Sequence, residues 1–201
     1  MKAEMNSHNY LSFVLLLSLA ACGGGGSANA PVAGSAPVTA AAPATPVASA
    51  DAGCPVSVSK LSISDSFIPN ATITTRNGIN ALTVKTPASG ALNFSACIVQ
   101  PTDAGYVAPP LGVTQLLPAG KTILLNLRVA GDVQSLTQRT LTVGISYPNG
   151  SAINLAMKVT AYTQNSEGIW VRNALATTVS GSGNVLSWVA DVTSGGYYSV
   201  E

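Results

Sequence analysis

Hydrophobic and polar residues alternate along much of the chain beyond residue 53. The alternation is clearest over residues 92–98, 123–129, 141–147 and 186–192. A period of two places every second side chain on the same face of a strand, whereas no window of eleven or more residues there has the 3.6-residue period of an amphipathic helix. The pattern predicts an all-β fold, an antiparallel β-sandwich of about eight to ten short strands. A small β-barrel is the alternative.

Two glycine-containing dipeptides predict where strands reverse direction. Asn149-Gly150 lowers the steric cost of a positive φ, so it predicts a hairpin between residues 141–147 and 153–161. Gly195-Gly196 predicts the turn into a last strand over residues 197–200. The long run over residues 137–146 is a candidate edge strand.

The first residues have the composition of an export signal. Lys2 precedes an uncharged and mostly apolar run over residues 11–21. A helix needs roughly 20 residues to cross a hydrocarbon core, so this run is too short to span a membrane and has the length of a signal-peptide core. We therefore predict that residues 1–21 are a signal peptide.

The end of this run resembles the processing site of bacterial lipoproteins. Leu19-Ala20-Ala21-Cys22 is similar to a lipobox, and the Gly-rich residues 23–27 are similar to the tether that commonly follows one. The resemblance implies cleavage before Cys22, a diacylglyceryl thioether on its sulfur and a further acyl chain, such as palmitate, on its amino group. Two or three acyl chains anchor a protein stably, since each buried methylene contributes about 0.8 kcal/mol.

The same resemblance implies a location. Glycine rather than aspartate at position 23 implies sorting to the outer membrane of a bacterial cell envelope, with the periplasmic side and the cell surface both open. The partner implied is the membrane, to which the protein would be attached through the lipid on Cys22. An ordinary secretory signal, or a buried apolar helix with an incidental cysteine, is the alternative interpretation.

Residues 22–52 are predicted to be the lipidated cysteine and a disordered linker. Beyond the cysteine they are almost entirely Gly, Ala, Pro, Ser, Thr and Val, and no charged residue occurs from residue 5 to residue 50. Such a segment has too little apolar surface to offset the entropy of ordering. It is either a bare spacer or an O-glycosylated one, and the predicted sandwich domain follows at residues 53–201.

Three cysteines divide into one predicted lipid site and one pair. Cys54 and Cys97 are predicted to form a disulfide in an oxidising envelope. By alternation, Cys97 faces the opposite side of its strand from Phe94 and Ala96. Two buried free thiols are the alternative, and two thiolates alone do not complete a zinc site.

Histidine and charge limit the possible chemistry. The single histidine, His8, lies in the predicted signal peptide, which excludes catalysis and metal binding by histidine in the mature chain. The formal net charge of +1 argues against nucleic acid, which proteins hold by neutralising many phosphates. The aspartates are not clustered as a calcium site requires. We predict no metal, no cofactor and no enzymatic activity.

Two segments are candidate contact regions. Tyr106, Pro109 and Pro110 form a candidate binding loop, because proline interrupts strand pairing and leaves apolar groups in a loop. Residues 164–167 are a second candidate. Trp170 and Trp188 are interpreted as core residues rather than ligand platforms.

The final strands, including Gly168-Ile169-Trp170-Val171, are similar to bacterial extracellular β-sandwich modules of the choice-of-anchor type, which implies the same fold class.

The prediction for function is a cell-envelope lipoprotein whose β-sandwich is a non-enzymatic binding or structural module, with a protein or a glycan as its ligand. One alternative is an accessory subunit of a secretion, pilus or surface-layer assembly. The other is a hydrolase that uses a pair of carboxylates.

Overall fold

The computed structural model describes residues 50–147 and 156–201. The predicted signal peptide, Cys22 and all but the last three residues of the predicted linker therefore lie outside the described residues. The described elements, in chain order, are β1 (Lys60–Ile63), β2 (Thr72–Asn77), β3 (Asn80–Lys85), β4 (Phe94–Val99), α1 (Leu111–Leu116), β5 (Leu125–Gly131), a 3₁₀ turn (Val133–Ser135), β6 (Gln138–Ser146), β7 (Val159–Gln164), β8 (Trp170–Ala174), β9 (Thr177–Ser182), β10 (Val185–Asp191) and β11 (Gly196–Val200).

The strands form two antiparallel sheets. Sheet A has six strands in the order β1-β4-β5-β11-β7-β8, and sheet B has five in the order β2-β3-β6-β10-β9. Every pairing between neighbouring strands is antiparallel. The predicted all-β antiparallel sandwich is confirmed, with eleven strands in the described residues against the eight to ten expected.

The core lies between the sheets and follows the alternation in the sequence. Phe94 of β4 and Leu186 and Trp188 of β10 are buried and belong to one cluster with residues from both sheets. Trp188 is the largest fully buried side chain of the described residues, and its Nε1 donates a hydrogen bond to the carbonyl of Met157 at 3.1 Å. The core position expected for Trp188 is confirmed.

The hairpin expected around Asn149-Gly150 is wrong. The strand before it, β6, lies in sheet B, whereas the strand after it, β7, lies in sheet A, so the chain crosses between the sheets here. The turn itself lies outside the described residues. Another Asn-Gly pair, Asn77-Gly78, does form a hairpin, with Asn77 opposite Asn80 and a φ of 58° at Gly78. The dipeptide marks a change of direction but does not determine which strands pair.

The edge strand expected over residues 137–146 is also wrong. β6 pairs with β3 on one side and with β10 on the other, so it is a central strand of sheet B. Its length and its fully buried Leu141 and Val143 suit a central position. The strands at the edges of the two sheets are β1, β8, β2 and β9.

A short helix, α1, was not expected from the sequence. It contains only six residues, which is less than two turns and too short to produce a periodic pattern. It begins after Pro110, which has the extended backbone conformation typical of the residue before a helix. None of the helices in the described ranges has the length and apolar character that a membrane span requires.

Candidate functional site

One row of side chains crosses the outer face of sheet A. The strand registers place Val99, Asn126, Tyr197, Tyr162 and Arg172 opposite one another on the five adjacent strands β4, β5, β11, β7 and β8. Residues directly opposite in an antiparallel sheet point to the same side. This face therefore presents an amide, two phenols and a guanidinium in one line.

The disulfide fastens the start of the domain over one end of this face. Cys54 and Cys97 are bonded with their Cα atoms 6.0 Å apart, which confirms the predicted pair, and Cys97 is fully buried. Arg128 lies opposite Cys97 on β5 and donates hydrogen bonds to the carbonyls of Gly53 and, at 3.0 Å, Gly105. One guanidinium thus holds both the N-terminal segment and the β4–α1 loop on the sheet.

A second, smaller apolar cluster lies under α1. Val113 of the helix packs with Ile123, Tyr162 and Tyr197, and Trp170 lies partly buried against them. A Cβ atom on Gly112 would lie 2.7 Å from Cδ1 of Trp170, so the helix can rest on the indole only because residue 112 has no side chain. The helix therefore fixes the position of Trp170.

A cleft of about 510 Å³ opens beside this cluster. Its lining comes from β5, from β11 and the two residues before it, from the β7–β8 hairpin and from two covering segments. The lining residues are Ala52, Val107, Asn126, Leu127, Arg128, Val129, Gln164, Trp170, Ser194, Gly195, Gly196 and Tyr197. We call this feature the sheet A cleft.

Asn126 is the least expected member of this lining. The residue is only 8% exposed, but the polar atoms of its amide reach the solvent in the cleft and have no hydrogen-bond partner among the described residues. Among the described residues, the buried side-chain polar atom without a partner is Thr160 Oγ1, so the Asn126 amide does not carry the cost of a buried unpaired group. An unpaired amide at the wall of an open cleft is available to a ligand.

Two aromatic rings form the apolar part of the cleft. The centroids of Trp170 and Tyr197 are 5.8 Å apart with the planes tilted by 59°. The Tyr197 hydroxyl donates to the carbonyls of Val107 and Ala108, at 3.3 Å each, and so fixes the β4–α1 loop at the rim. The indole N–H of Trp170 has no partner within the described ranges, unlike that of Trp188.

Both predicted contact regions reach this cleft, but by different residues from those singled out. The first contributes Val107, whereas Tyr106, Pro109 and Pro110 do not line it. Tyr106 lies partly buried behind the rim, where burial and then the neighbouring Tyr197 raise its pKa. The second region contributes Gln164. A binding role for the loop at Tyr106 remains a prediction.

A hydrogen-bonded cluster surrounds Glu201 on the same sheet face. Its carboxylate accepts hydrogen bonds from the Tyr162 hydroxyl, from Ser199 Oγ at 3.0 Å and from Arg172 Nε at 3.0 Å and Nη2. Burial alone would raise the pKa of this carboxyl, but the bonds from Arg172, Tyr162 and Ser199 outweigh it and leave the pKa below its ordinary value of 4.5. The cluster joins β7, β8 and the end of β11.

This cluster predicts a pH dependence of stability. A carboxyl whose pKa is lower in the folded state stabilises the fold above its unfolded pKa, and the stabilisation is lost as the pH falls through the folded pKa. We therefore expect the melting temperature to fall on acidification from about pH 6 to about pH 3, and to fall less in Glu201→Gln. Equal losses in both proteins, measured by circular dichroism, would show that Glu201 does not carry the effect.

Four of the six other carboxylate side chains in the described residues have structural partners. Asp51 pairs with Lys60 at 2.9 Å, Asp65 and Asp132 accept backbone N–H groups of the β3–β4 loop, and Asp103 accepts hydrogen bonds from Asn77 and from the backbone of Gln100. Within the described ranges, no three His, Cys, Asp or Glu side chains are grouped as a metal site requires.

The polar and aromatic groups that line the sheet A cleft are amides, aromatic rings, a hydroxyl and one guanidinium. These side chains can form hydrogen bonds and aromatic contacts, and no carboxylate is among them.

Comparison of the chain with protein-family models, with curated proteins and with solved structures finds no match.

Proposed function

We propose that this protein is a cell-envelope lipoprotein whose β-sandwich is a non-enzymatic binding module, and that the sheet A cleft is its binding site. In this proposal acyl chains on Cys22 hold the protein in the outer membrane. Residues 23–52 act as a tether, which gives the domain reach of up to about 100 Å at full extension. A rigid two-sheet core then presents the cleft at the end of that tether.

The unpaired amide of Asn126 carries the proposal for the site. The amide lies at the wall of the cleft and has no hydrogen-bond partner among the described residues, and its polar atoms reach the solvent there, so a ligand can bind it without breaking a hydrogen bond of the fold. Preformed clefts with aromatic walls and a few convergent polar groups are the usual form of ligand sites. The disulfide, Arg128 and Gly112 all help to hold the walls of this cleft in place.

A second candidate function rests on the free edge of β9. This strand pairs only with β10, carries no charge or proline, and has mostly exposed residues. Unprotected edges accept strands from other chains, so the edge favours an accessory subunit that joins an assembly by strand addition. In that case, crosslinking through a cysteine placed at Ser180 should recover a defined partner from envelopes, whereas a cysteine at the exposed Ser89, in the β3–β4 loop away from this edge, should not.

Limited proteolysis of cells tests the placement of the domain. The predicted linker should be cut wherever a protease reaches it, so release of the domain from intact cells places it on the surface, and protection until lysis places it in the periplasm. A domain that stays protected in lysed cells would contradict an accessible tether.

Ligand mapping tests the site. The full-length Cys22→Ala chain, purified without lipid, should show chemical-shift changes centred on Asn126, Trp170 and Tyr197 when a library of small polar fragments is added. Changes scattered over the surface, or centred elsewhere, would contradict a binding site in this cleft.

A further inference from the structure

Trp170 separates two adjoining depressions in the surface. Besides the sheet A cleft, it lines a second cavity of about 350 Å³, together with Gly112, Gln115, Leu116, Gly168 and Ile169. We call this the side cavity. A ligand that fills both must cross the indole, so it must be longer than one small ring.

The polar groups of the two depressions match a ligand rich in hydroxyls. The Asn126 amide offers two donors and an acceptor, and none is used within the described part of the chain. Gln164 donates through Nε2 to the Gly168 carbonyl at 3.1 Å, which leaves its Oε1 as an acceptor, and Ser194 adds a hydroxyl. Hydroxyl groups both donate and accept, so they satisfy amides in either orientation.

The apolar groups match the other surface of the same ligand class. A sugar ring presents C–H groups on its faces, and the electron-rich face of an indole attracts such weakly positive hydrogens. Trp170 is held by Gly112 on α1 and by Tyr197 at 5.8 Å, so its ring is fixed before a ligand arrives. A fixed ring lowers the entropic cost of binding.

An extended peptide fits this place less well. Peptides commonly add a strand to a free sheet edge or lay an apolar helix face into a hydrophobic groove. The sheet A cleft lies on β5 and β11, which each pair with a strand on both sides, so it offers no free edge. Its base also carries Asn126 and Arg128 rather than a continuous apolar groove.

We propose that the sheet A cleft and the side cavity together bind a carbohydrate of at least two sugar units, with one unit on each side of Trp170. The proposal rests on the proposed function of the cleft as a binding site and specifies its ligand. Asn126 and Gln164 hold hydroxyls of the unit in the sheet A cleft. Gln115 is placed to contact the unit in the side cavity.

Titration calorimetry with oligosaccharides of matched length tests this proposal. The probes are glucose, N-acetylglucosamine and galacturonate, each as the monomer and as its β- or α-1,4-linked dimer and trimer, added to the full-length Cys22→Ala chain. We expect at least one series to bind, with affinity rising about tenfold or more from monomer to trimer. Asn126→Leu and Trp170→Ala should each weaken that binding by about tenfold or more, and Asn173→Leu, on an exposed position of β8, should leave it unchanged.

The outcomes separate the ligand class from the site. Trp170→Ala removes a packed ring, so its circular dichroism spectrum is compared with that of the parent, and Asn126→Leu gives the same test without loss of packing. The carbohydrate proposal is overturned if neither substitution weakens the binding, or if no oligosaccharide series binds. If no oligosaccharide binds but other polar fragments still change the chemical shifts of Asn126 and Trp170, the proposed function of the cleft stands. If no fragment changes these shifts, the carbohydrate proposal and the proposed function are both overturned.

Discussion

Replacing Cys54 and Cys97 together with alanine should lower the free energy of unfolding by about 2–5 kcal/mol. The two cysteines are 43 residues apart, so their bond removes a large loop from the conformations open to the unfolded chain. The chain-entropy relation gives roughly 4 kcal/mol for a loop of this length. In the folded state the same bond holds the segment before β1 over sheet A, where Arg128 binds the carbonyl of Gly53.

Urea denaturation of the Cys22→Ala chain, with and without the two further substitutions, measures this loss. Dithiothreitol is the control, because it should destabilise the protein with the disulfide and leave the double variant unchanged. A loss of less than about 1 kcal/mol would show that the bond contributes little to the fold.

When residues 1–21 of the Cys22→Ala variant are exchanged for a cleavable secretory signal, replacing Cys22 with alanine should move the protein from the membrane fraction to the soluble fraction. The proposal places all membrane attachment in acyl chains on this residue, and its sulfur is required for the first of them. A protein with two or three acyl chains should be almost entirely membrane-bound and one without them almost entirely soluble, because each buried methylene adds about 0.8 kcal/mol of membrane affinity.

Fractionation of cells that produce each variant measures this change, and mass spectrometry of the N-terminal peptide identifies the lipid. The double variant Cys54→Ala/Cys97→Ala is the matched control, since it also loses cysteines but should stay with the membrane. An unmodified Cys22 in the parent protein, or equal membrane binding by Cys22→Ala, would count against the lipoprotein proposal.

The fold could be predicted from the sequence because its core follows a local rule. Burial alternates along β10, where Leu186, Trp188 and Ala190 are buried and the residues between them are partly exposed. A period of two is visible in a single segment and does not depend on its partners. The disulfide was predictable for a similar reason, since two cysteines remain once Cys22 is assigned to the lipid site.

Strand pairing could not be predicted in the same way. Asn149-Gly150 was expected to join β6 to a paired strand, but β6 and β7 lie in different sheets. Whether a turn keeps the chain in one sheet or carries it to the other depends on the packing of both sheets. That information is spread over the whole domain rather than contained in a dipeptide.

The candidate site was only partly visible in the sequence. Tyr106, Pro109, Pro110 and Gln164 indicated two loops that do meet at the rim of the cleft, through Val107 and Gln164. Asn126 was missed, although the alternation already placed it on the polar face of its strand. Its importance depends on the absence of a hydrogen-bond partner among the described residues, and the neighbours that bury it, such as Tyr197, are about 70 residues away in the chain.

The stability of Asn126→Leu, compared with that of Asn80→Leu, tests the central claim most directly. Both residues have low exposure, 8% and 3%, but Asn80 accepts a hydrogen bond from the buried backbone N–H of Gly144 at 3.0 Å, whereas the Asn126 amide faces the solvent in the cleft and has no partner among the described residues. If the Asn126 amide serves a ligand, urea denaturation should show Asn126→Leu to be as stable as the parent or up to about 1 kcal/mol more stable, while Asn80→Leu loses about 1–3 kcal/mol. A loss at Asn126 as large as that at Asn80 would mean that its amide supports the fold, and the binding site proposed here would lose its main support.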